Sequence, residues 1–243
     1  SGSLLEKEYQ HFLMLLGRDR ERIRGLSETA REEMTEYYTM WVHQIKTPIA
    51  AMRLLLQKPG QEQDPELSEQ LFRIEEYVNM VLQYLRVDGD NDLIVQWNDL
   101  DLMVRQAVHR YAGMFIRKKL SLSYEPLNRK VLTDEKWLVF VVEQILSNAV
   151  KYTGQGGISI YLEPGPDTVL AIRDTGTGIA LEDQPRIFEK GFTGYNGHAD
   201  KRSTGIGLYL CRRILNRLSH EITVESEPGK GTIMRIWFAK ERL

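Results

Sequence analysis

Four short segments in the second half of the chain contain glycines or a lysine, and three of them also contain carboxylate, amide or hydroxyl side chains. They are Asn148–Thr153, Asp174–Ile179, Gly205–Leu208 and Gly229–Thr232. Asp174 precedes alternating glycines at Gly176 and Gly178, so the backbone can approach a planar ligand while the carboxylate accepts from an exocyclic amine. Each segment alone also fits an ordinary turn or a solvated surface. Only their combination predicts a ligand site.

Two of these segments have the chemistry of phosphate and metal binding. Gly205-Ile206-Gly207-Leu208 opens a predicted helix, and free backbone N–H groups at a helix N-terminus bind anions. Asn148 offers an oxygen ligand that suits Mg²⁺ held by few protein groups together with phosphates. Lys151, one turn further along, suits a phosphate as a point charge.

A different chemistry is available at His43, in the first half of the chain. The apolar residues Trp41, Ile45 and Met52 share one face of a predicted helix. We therefore place His43 off that face, near solvent, with Thr47 one turn further along the same side. A neutral imidazole nitrogen can act as a nucleophile. A lone exposed histidine usually has no function, so its meaning depends on the neighbouring residues.

The elements that position these residues fit a chain of two domains, since 243 residues exceed the usual length of one. Apolar residues make up 42% of the chain, which excludes a disordered chain. The net charge of -2 does not indicate nucleic-acid binding. The single cysteine, Cys211, excludes an internal disulfide and fits a reducing compartment. No apolar run approaches the ~20 residues of a membrane span, and residues 1–3 read as a cloning remnant.

Residues 4–88 are predicted to form two long helices. The first carries apolar residues at helical spacing from Leu5 to Trp41, and a turn is expected between Pro59 and Pro65. One hairpin cannot cover the apolar seams of both helices, so two copies are expected to pair into a four-helix bundle, making the protein a homodimer. The seam of the second helix is Leu67, Leu71, Ile74, Val78, Val81 and Leu85.

A polar linker is expected at residues 89–92, and strands alternate with helices after it. Hairpin-connected strands with helices on one face predict an α/β sandwich, so the fold class of the chain is α+β. The predicted strands are 93–97, 120–125, 130–133, 158–163, 168–174, 221–226 and 232–238, and the predicted helices run from Asn98 or Asp99 to Lys118, over 134–152 and over 205–218.

The order of the four segments resembles the N, G1, G2 and G3 boxes of the Bergerat (GHKL) ATP-binding fold, which histidine kinases, gyrase, MutL and certain chaperones share. Arg186–Phe192 is similar to the kinase F box, and 189–203 then corresponds to the ATP lid. The resemblance covers 93–243 and implies that Asn148 holds Mg²⁺. It implies ATP binding by Asn148, Lys151, Tyr152, Asp174, Gly176, Gly178, Ile179, Phe188, Arg202, Gly205, Gly207, Leu208 and Thr232.

The segment around His43 resembles the H box of sensor histidine kinases. The resemblance implies that ATP–Mg²⁺ phosphorylates His43 and that an aspartate on the receiver domain of a response regulator takes the phosphoryl group. Thr47 resembles the residue that positions water for the reverse, phosphatase activity. The sequence from Tyr37 to Ile49 is similar to that of the bacitracin-resistance (BceS-like) intramembrane-sensing kinases of Gram-positive bacteria, which pair with ABC transporters. The chain is then the cytoplasmic part of a bacterial membrane protein.

The chain departs from the wider family's pattern at two positions. Gln44 follows His43 where most members have Glu or Asp, although the BceS-like subgroup uses Gln, and Gln144 replaces a usual Asn. The amide of Gln44 can orient the imidazole ring but cannot hold its proton. Two alternatives follow, a catalytically silent ATP-binding adaptor and a GHKL ATPase without phosphotransfer. The intact glycine boxes argue against the adaptor, and His43 in its H box argues against the ATPase.

Overall fold

The structure, a computed structural model, describes residues 65–87, 93–194 and 205–239, together with scattered residues between Tyr9 and Leu56. His43, Gln44 and Arg202 lie outside the described residues, as do residues 1–3 and the expected linker at 89–92. The chain divides into two compact units, Ser1–Asp88 and Gly89–Leu243.

The first unit contains a helical segment at 45–54 and helix α1 (Pro65–Arg86). Glu66 in the first turn of α1 and Arg86 in the last complement the partial charges at the two ends of the helix. One face of α1 packs against the preceding helical residues, which removes apolar surface from water. The buried residues of this contact are Val42, Ile49, Leu71, Val78 and Leu82.

The apolar residues that are buried in this unit are not all the ones that the sequence predicts. Met52, predicted to lie on the buried face with Trp41 and Ile45, is 44% exposed, and Val42 and Ile49 are buried instead. In a heptad pattern two apolar rows alternate, and among the described residues of this unit one row is buried and the other is exposed. On α1 the uncovered row consists of Leu67, Ile74 and Val81, which are 40–48% exposed.

The second unit is an α/β sandwich, as predicted. Its elements are β1 (Gln96–Asp99), α2 (Leu100–Lys118), β2 (Ser121–Tyr124), β3 (Lys130–Thr133), α3 (Glu135–Tyr152), β4 (Gly157–Leu162), β5 (Val169–Asp174), α4 (Gly207–Arg217), β6 (Glu221–Glu227) and β7 (Gly231–Trp237). The larger sheet has the strand order β2-β4-β5-β7-β6, in which β2 and β4 are parallel and the other pairs are antiparallel. Strands β1 and β3 pair in a separate two-stranded sheet.

Local chemistry fixes where several of these elements begin. Asp99 caps α2 by accepting from the backbone N–H groups of Asp101 and Leu102, so the second of the two predicted caps is correct. The prediction that β1 starts at residue 93 is wrong, because the Ile94 N–H donates to the Asp134 carboxylate at 2.7 Å instead of to a strand. The predicted start of α4 at Gly205 is also wrong, because its φ of 66° is incompatible with a right-handed helix.

The core of the second unit lies between one face of the larger sheet and the three helices. Alternate strand residues point into this layer, including the register partners Ile160, Ile172 and Met234. Helix α3 is buried along most of its length and contacts α2, α4 and β5. None of the helices that the structure describes is both long enough and apolar enough to cross a membrane.

Candidate nucleotide-binding site

Asp174 is a buried hydrogen-bond acceptor at the carboxyl end of β5. Its residue is 7% exposed, and the backbone N–H of Gly176 donates to its Oδ1 atom at 2.8 Å. Thr232, its register partner on β7, also donates a backbone bond to the carboxyl group. Burial raises the pKa of Asp174 above its usual range, and the two backbone bonds oppose that shift. We call Asp174, Gly176, Tyr152 and Thr232 the carboxylate end of the site.

The glycines after Asp174 are required by close backbone contacts. A Cβ atom on Gly176 would lie 2.6 Å from the carbonyl oxygen of Tyr152 and 2.8 Å from the Asp174 carboxylate. A Cβ atom on Gly178, whose φ is 70°, would lie 2.1 Å from the carbonyl oxygen of Glu227. The loop therefore lies flat against the end of α3 on one side and the β6–β7 turn on the other.

Ser226 joins two of the predicted segments and was missed in the sequence. Its hydroxyl accepts from the Ile179 N–H at 2.8 Å, donates to the Gly231 carbonyl at 2.8 Å and lies 2.9 Å from the Thr232 Oγ1 atom. A serine within a strand has no distinctive pattern, so only the fold identifies its role. The contact places Ile179 beside Thr232, as a shared site requires.

The start of α4 forms the other end of the site. Among the described residues no side chain caps this helix and its first turn contains no acidic residue, so its first backbone N–H groups can face an anion. A Cβ atom on Gly207 would lie 2.7 Å from the Oε1 atom of the buried Gln144. Asn148 is one turn after Gln144 on α3 and half-buried, which places it next to this helix start. We call Asn148, Lys151, Gly205 and Gly207 the helix-start end.

Helix α3 connects the two ends. It runs from Gln144, against Gly207, to Tyr152, against the Asp174 loop, a rise of about 12 Å over eight residues. Lys151 and Tyr152 are half-buried, and the Lys151 Nζ atom lies 5.1 Å from the centre of the Tyr152 ring. One helix thus presents an amide, a cation and an aromatic ring in sequence between a carboxylate and an anion site.

The predicted lid is anchored at both of its ends. Phe188 is buried, and the Arg212 guanidinium of α4 lies 5.6 Å from the centre of its ring. The Gly191 N–H donates to the Gly205 carbonyl at 2.9 Å, so the chain returns to the point from which it leaves. Leu208 is half-buried in the first turn of α4.

The metal-binding capacity of the described residues is small. Among them no group of three or more His, Cys, Asp or Glu side chains could hold a metal ion. Asn148 supplies one neutral oxygen, which fits Mg²⁺ only where phosphates and water complete the coordination shell. Thr47 belongs to the first unit, where it is helical and exposed.

Comparisons with known proteins agree with this geometry. Residues 133–242 match the family described as histidine kinase-, DNA gyrase B-, and HSP90-like ATPase. Sensor protein BceS of Bacillus subtilis is 35% identical over 86% of this chain and 64% of its own length. Sensor histidine kinase YxdK of Bacillus subtilis is 31% identical over 87% of this chain and 67% of its own length.

A solved structure shows the same fold at lower identity. The crystal structure of full-length ShkA in complex with AMPPNP aligns with a TM-score of 0.59 and 22% identity, over 86% of this chain and 47% of that one. The chain spans about two thirds of the length of the curated relatives it matches. Together with the glycine-lined carboxylate and the uncapped helix start, these similarities show that the chain belongs to the sensor histidine kinases.

Proposed function

We propose that this chain is the kinase part of a two-component sensor, which transfers the γ-phosphoryl group of ATP to His43 and then to an aspartate of a response regulator. The observation that carries the proposal is the course of α3, which leads from the buried carboxylate of Asp174 to the uncapped start of α4. These two ends fit the two ends of a nucleotide, a base with an exocyclic amine and a chain of phosphates.

The carboxylate end binds the adenine. Asp174 accepts from the exocyclic amine, and its orientation is set by the bonds from Gly176 and Thr232. Because Gly176 has no Cβ atom, the loop packs closely against the Tyr152 carbonyl group, which keeps the Asp174 carboxylate in position for the base. The buried position excludes water, which strengthens a hydrogen bond to the carboxylate.

The helix-start end binds the phosphates. The backbone N–H groups of Gly207 and Leu208 donate to phosphate oxygens, and Lys151 contributes a point charge. When Mg²⁺ is bound, with Asn148 as its protein ligand, it neutralises charge that develops on the phosphates. We also propose that Phe188 and Arg202 contact the nucleotide and that 189–203 is the ATP lid. Catalysis is then mainly positioning and charge neutralisation.

The chemical step takes place on His43 in the H box. A neutral ring nitrogen of His43 attacks the γ-phosphorus, and the bond from that phosphorus to the β–γ bridging oxygen breaks, so ADP leaves. The side-chain oxygen of Gln44 accepts from the other ring nitrogen and orients the ring. Because an amide cannot hold that proton, it passes to solvent. Thr47 positions water in the reverse reaction that dephosphorylates the regulator.

The partners follow from the same assignment. The uncovered apolar row of α1 supplies the surface on which a second copy completes a four-helix bundle. The receiver domain of a response regulator accepts the phosphoryl group. An ABC transporter is proposed to act through membrane segments outside this chain, which places the chain on the cytoplasmic side of a bacterial cell membrane. The proposed stimulus is cell-envelope or antimicrobial-peptide stress.

The test is incubation of the chain with γ-labelled ATP and Mg²⁺. We expect an acid-labile, base-stable label that disappears in His43→Gln. The matched control is His109→Gln, which changes an exposed histidine of α2 and should leave the label intact. Label on His43→Gln would contradict the assignment. ATP hydrolysis without label would favour an ATPase without phosphotransfer, and binding without either would favour an adaptor.

A further inference from the structure

The C-terminal turn of α3 is closed by donors from outside the helix. The last four carbonyl groups of a helix have no partner within it. Here the Ala149 carbonyl accepts from the Thr153 N–H at 3.1 Å, and the Tyr152 carbonyl accepts from the Thr177 N–H at 3.2 Å. The other two carbonyls of this turn belong to Val150 and Lys151.

The side chain of Lys118 satisfies both of them. Its Nζ atom, in the last turn of α2, donates to the Val150 carbonyl at 2.6 Å, the Lys151 carbonyl at 3.2 Å and the Thr153 carbonyl at 3.2 Å. An ammonium group has three donors, so its capacity matches the three converging oxygens. Its positive charge also lies at the negative end of the α3 dipole.

This turn is the one that carries the middle of the candidate site. Lys151 and Tyr152 project from it, and the Asp174 loop is bonded to it through Thr177. A turn that loses the three bonds from Lys118 frays more easily, and fraying would move the lysine, the ring and the loop together. We propose that Lys118 is a positioning residue for nucleotide binding, which it supports by closing the end of α3. The inference rests on the proposed ATP site.

The experiment is titration of the full chain with ADP by calorimetry. We expect Lys118→Ala to raise the Kd by about tenfold, because the carbonyl groups of the buried residues Val150 and Thr153 lose their ammonium donor. Since Lys118 is an exposed residue, ammonium ions can reach the vacated position. Replacing sodium chloride with ammonium chloride at equal ionic strength should restore the Kd to within about threefold. The matched control is Arg117→Ala, which removes a cation from the same turn and should leave the Kd unchanged.

An unchanged Kd in Lys118→Ala would overturn the inference, as would a raised Kd that ammonium does not lower. If Lys118→Ala fails to fold, Lys118→Arg replaces it. Arginine keeps the charge, but its planar fork cannot direct three donors at converging oxygens, so we expect a Kd raised by about threefold. An unchanged Kd in the arginine variant would also overturn the inference. An unmodified chain that binds no ADP would contradict the proposed function itself, and this inference with it.

Discussion

The two ends of the candidate site differ in how completely the protein builds them. At the carboxylate end, Asp174 and Thr232 are buried, and backbone bonds from Gly176 and Thr232 hold the carboxylate in place. At the helix-start end, Asn148 and Gly207 are half-buried, and no side chain in the described part of the chain caps the first N–H groups of α4.

This difference indicates a division of labour between the two ends. A rigid, buried end loses little conformational freedom on binding and so suits recognition of the base. An end where no described side chain caps the helix, and where Asn148 offers one amide oxygen, suits the proposed phosphate groups and their Mg²⁺. Recognition of the nucleotide and positioning of its reactive phosphate can therefore be perturbed separately.

The largest effect should come from a substitution that distorts the backbone at the carboxylate end. Gly231 has a φ of 104°, and a Cβ atom there would lie 2.0 Å from the Asp174 carbonyl oxygen. We expect Gly231→Ala to lower the free energy of unfolding by roughly 3 kcal/mol or more and to abolish ADP binding. The matched control is Gly229→Ala, with a φ of 79° but nothing within 4 Å, which should cost about 1 kcal/mol. Equal losses in urea unfolding would show that this end is not rigid.

The second effect is a loss of folding stability at low pH, which limits the pH range in which the two ends can be compared. His220 is buried, accepts from the Ala239 N–H and contacts the Thr133 hydroxyl at 3.1 Å. Burial lowers its pKa from 6.5 to about 4, so the unfolded chain binds the extra proton between these values. Stability is therefore fully present above pH 6.5 and falls by about 3 kcal/mol as the pH drops towards 4. Unfolding of His220→Gln between pH 4 and 7 should show a flatter dependence, and an identical slope would contradict this origin.

The carboxylate itself should affect affinity more than stability. Asp174→Asn gives the adenine amine a weaker acceptor, so the Kd for ADP should rise roughly tenfold or more. The raised pKa means that the folded state binds more protons than the unfolded one, so this group's contribution to stability falls as the pH rises through that range. Removing the buried charge should therefore leave the melting temperature at neutral pH unchanged or higher.

Calorimetry and melting curves at matched pH separate these two consequences of Asp174→Asn. In the unmodified chain, ADP affinity should also weaken on acidification above the usual titration range of aspartate, and Asp174→Asn should not show this. Unchanged affinity in the variant at neutral pH would remove Asp174 from the binding site.

The smallest effect is expected at the helix-start end. Asn148→Ala should raise the Kd for ADP by about fivefold when Mg²⁺ is present and by much less in EDTA, because its oxygen acts through the metal. Ser147→Ala, at a half-buried neighbour on the same helix, is the control and should have no metal-dependent effect. Equal losses with and without Mg²⁺ would mean that Asn148 contacts the nucleotide directly or only supports the helix.

The parts of the fold that were predictable are those fixed by local chemistry. The sandwich class, the bounds of β3 at 130–133 and the Asp99 cap follow from residues close together in the chain. Gly176 and Gly178 were predictable from their spacing after Asp174, although the contacts that require them are with the distant residues Tyr152 and Glu227. The sequence-derived roles of the site residues stay predictions, but the structure gathers those it describes in the second unit around α3.

The parts that were missed depend on contacts between distant residues. Lys118 reaches carbonyls 32 to 35 positions away, and Ser226 bonds Ile179 across 47 positions. Met52 has the spacing of a buried residue, yet the single hairpin covers the other row. Periodicity identifies apolar rows but does not say which neighbour covers each of them.

The hydrogen bond between Gly191 and Gly205 has a consequence for how this protein can vary. When the ends of a loop are held together, the entropic cost of closing it depends weakly on its length and rises by about 0.6 kcal/mol for each doubling. Insertions, deletions and substitutions between 191 and 205 should therefore change the stability of the sheet very little, provided that Gly191 and Gly205 are kept.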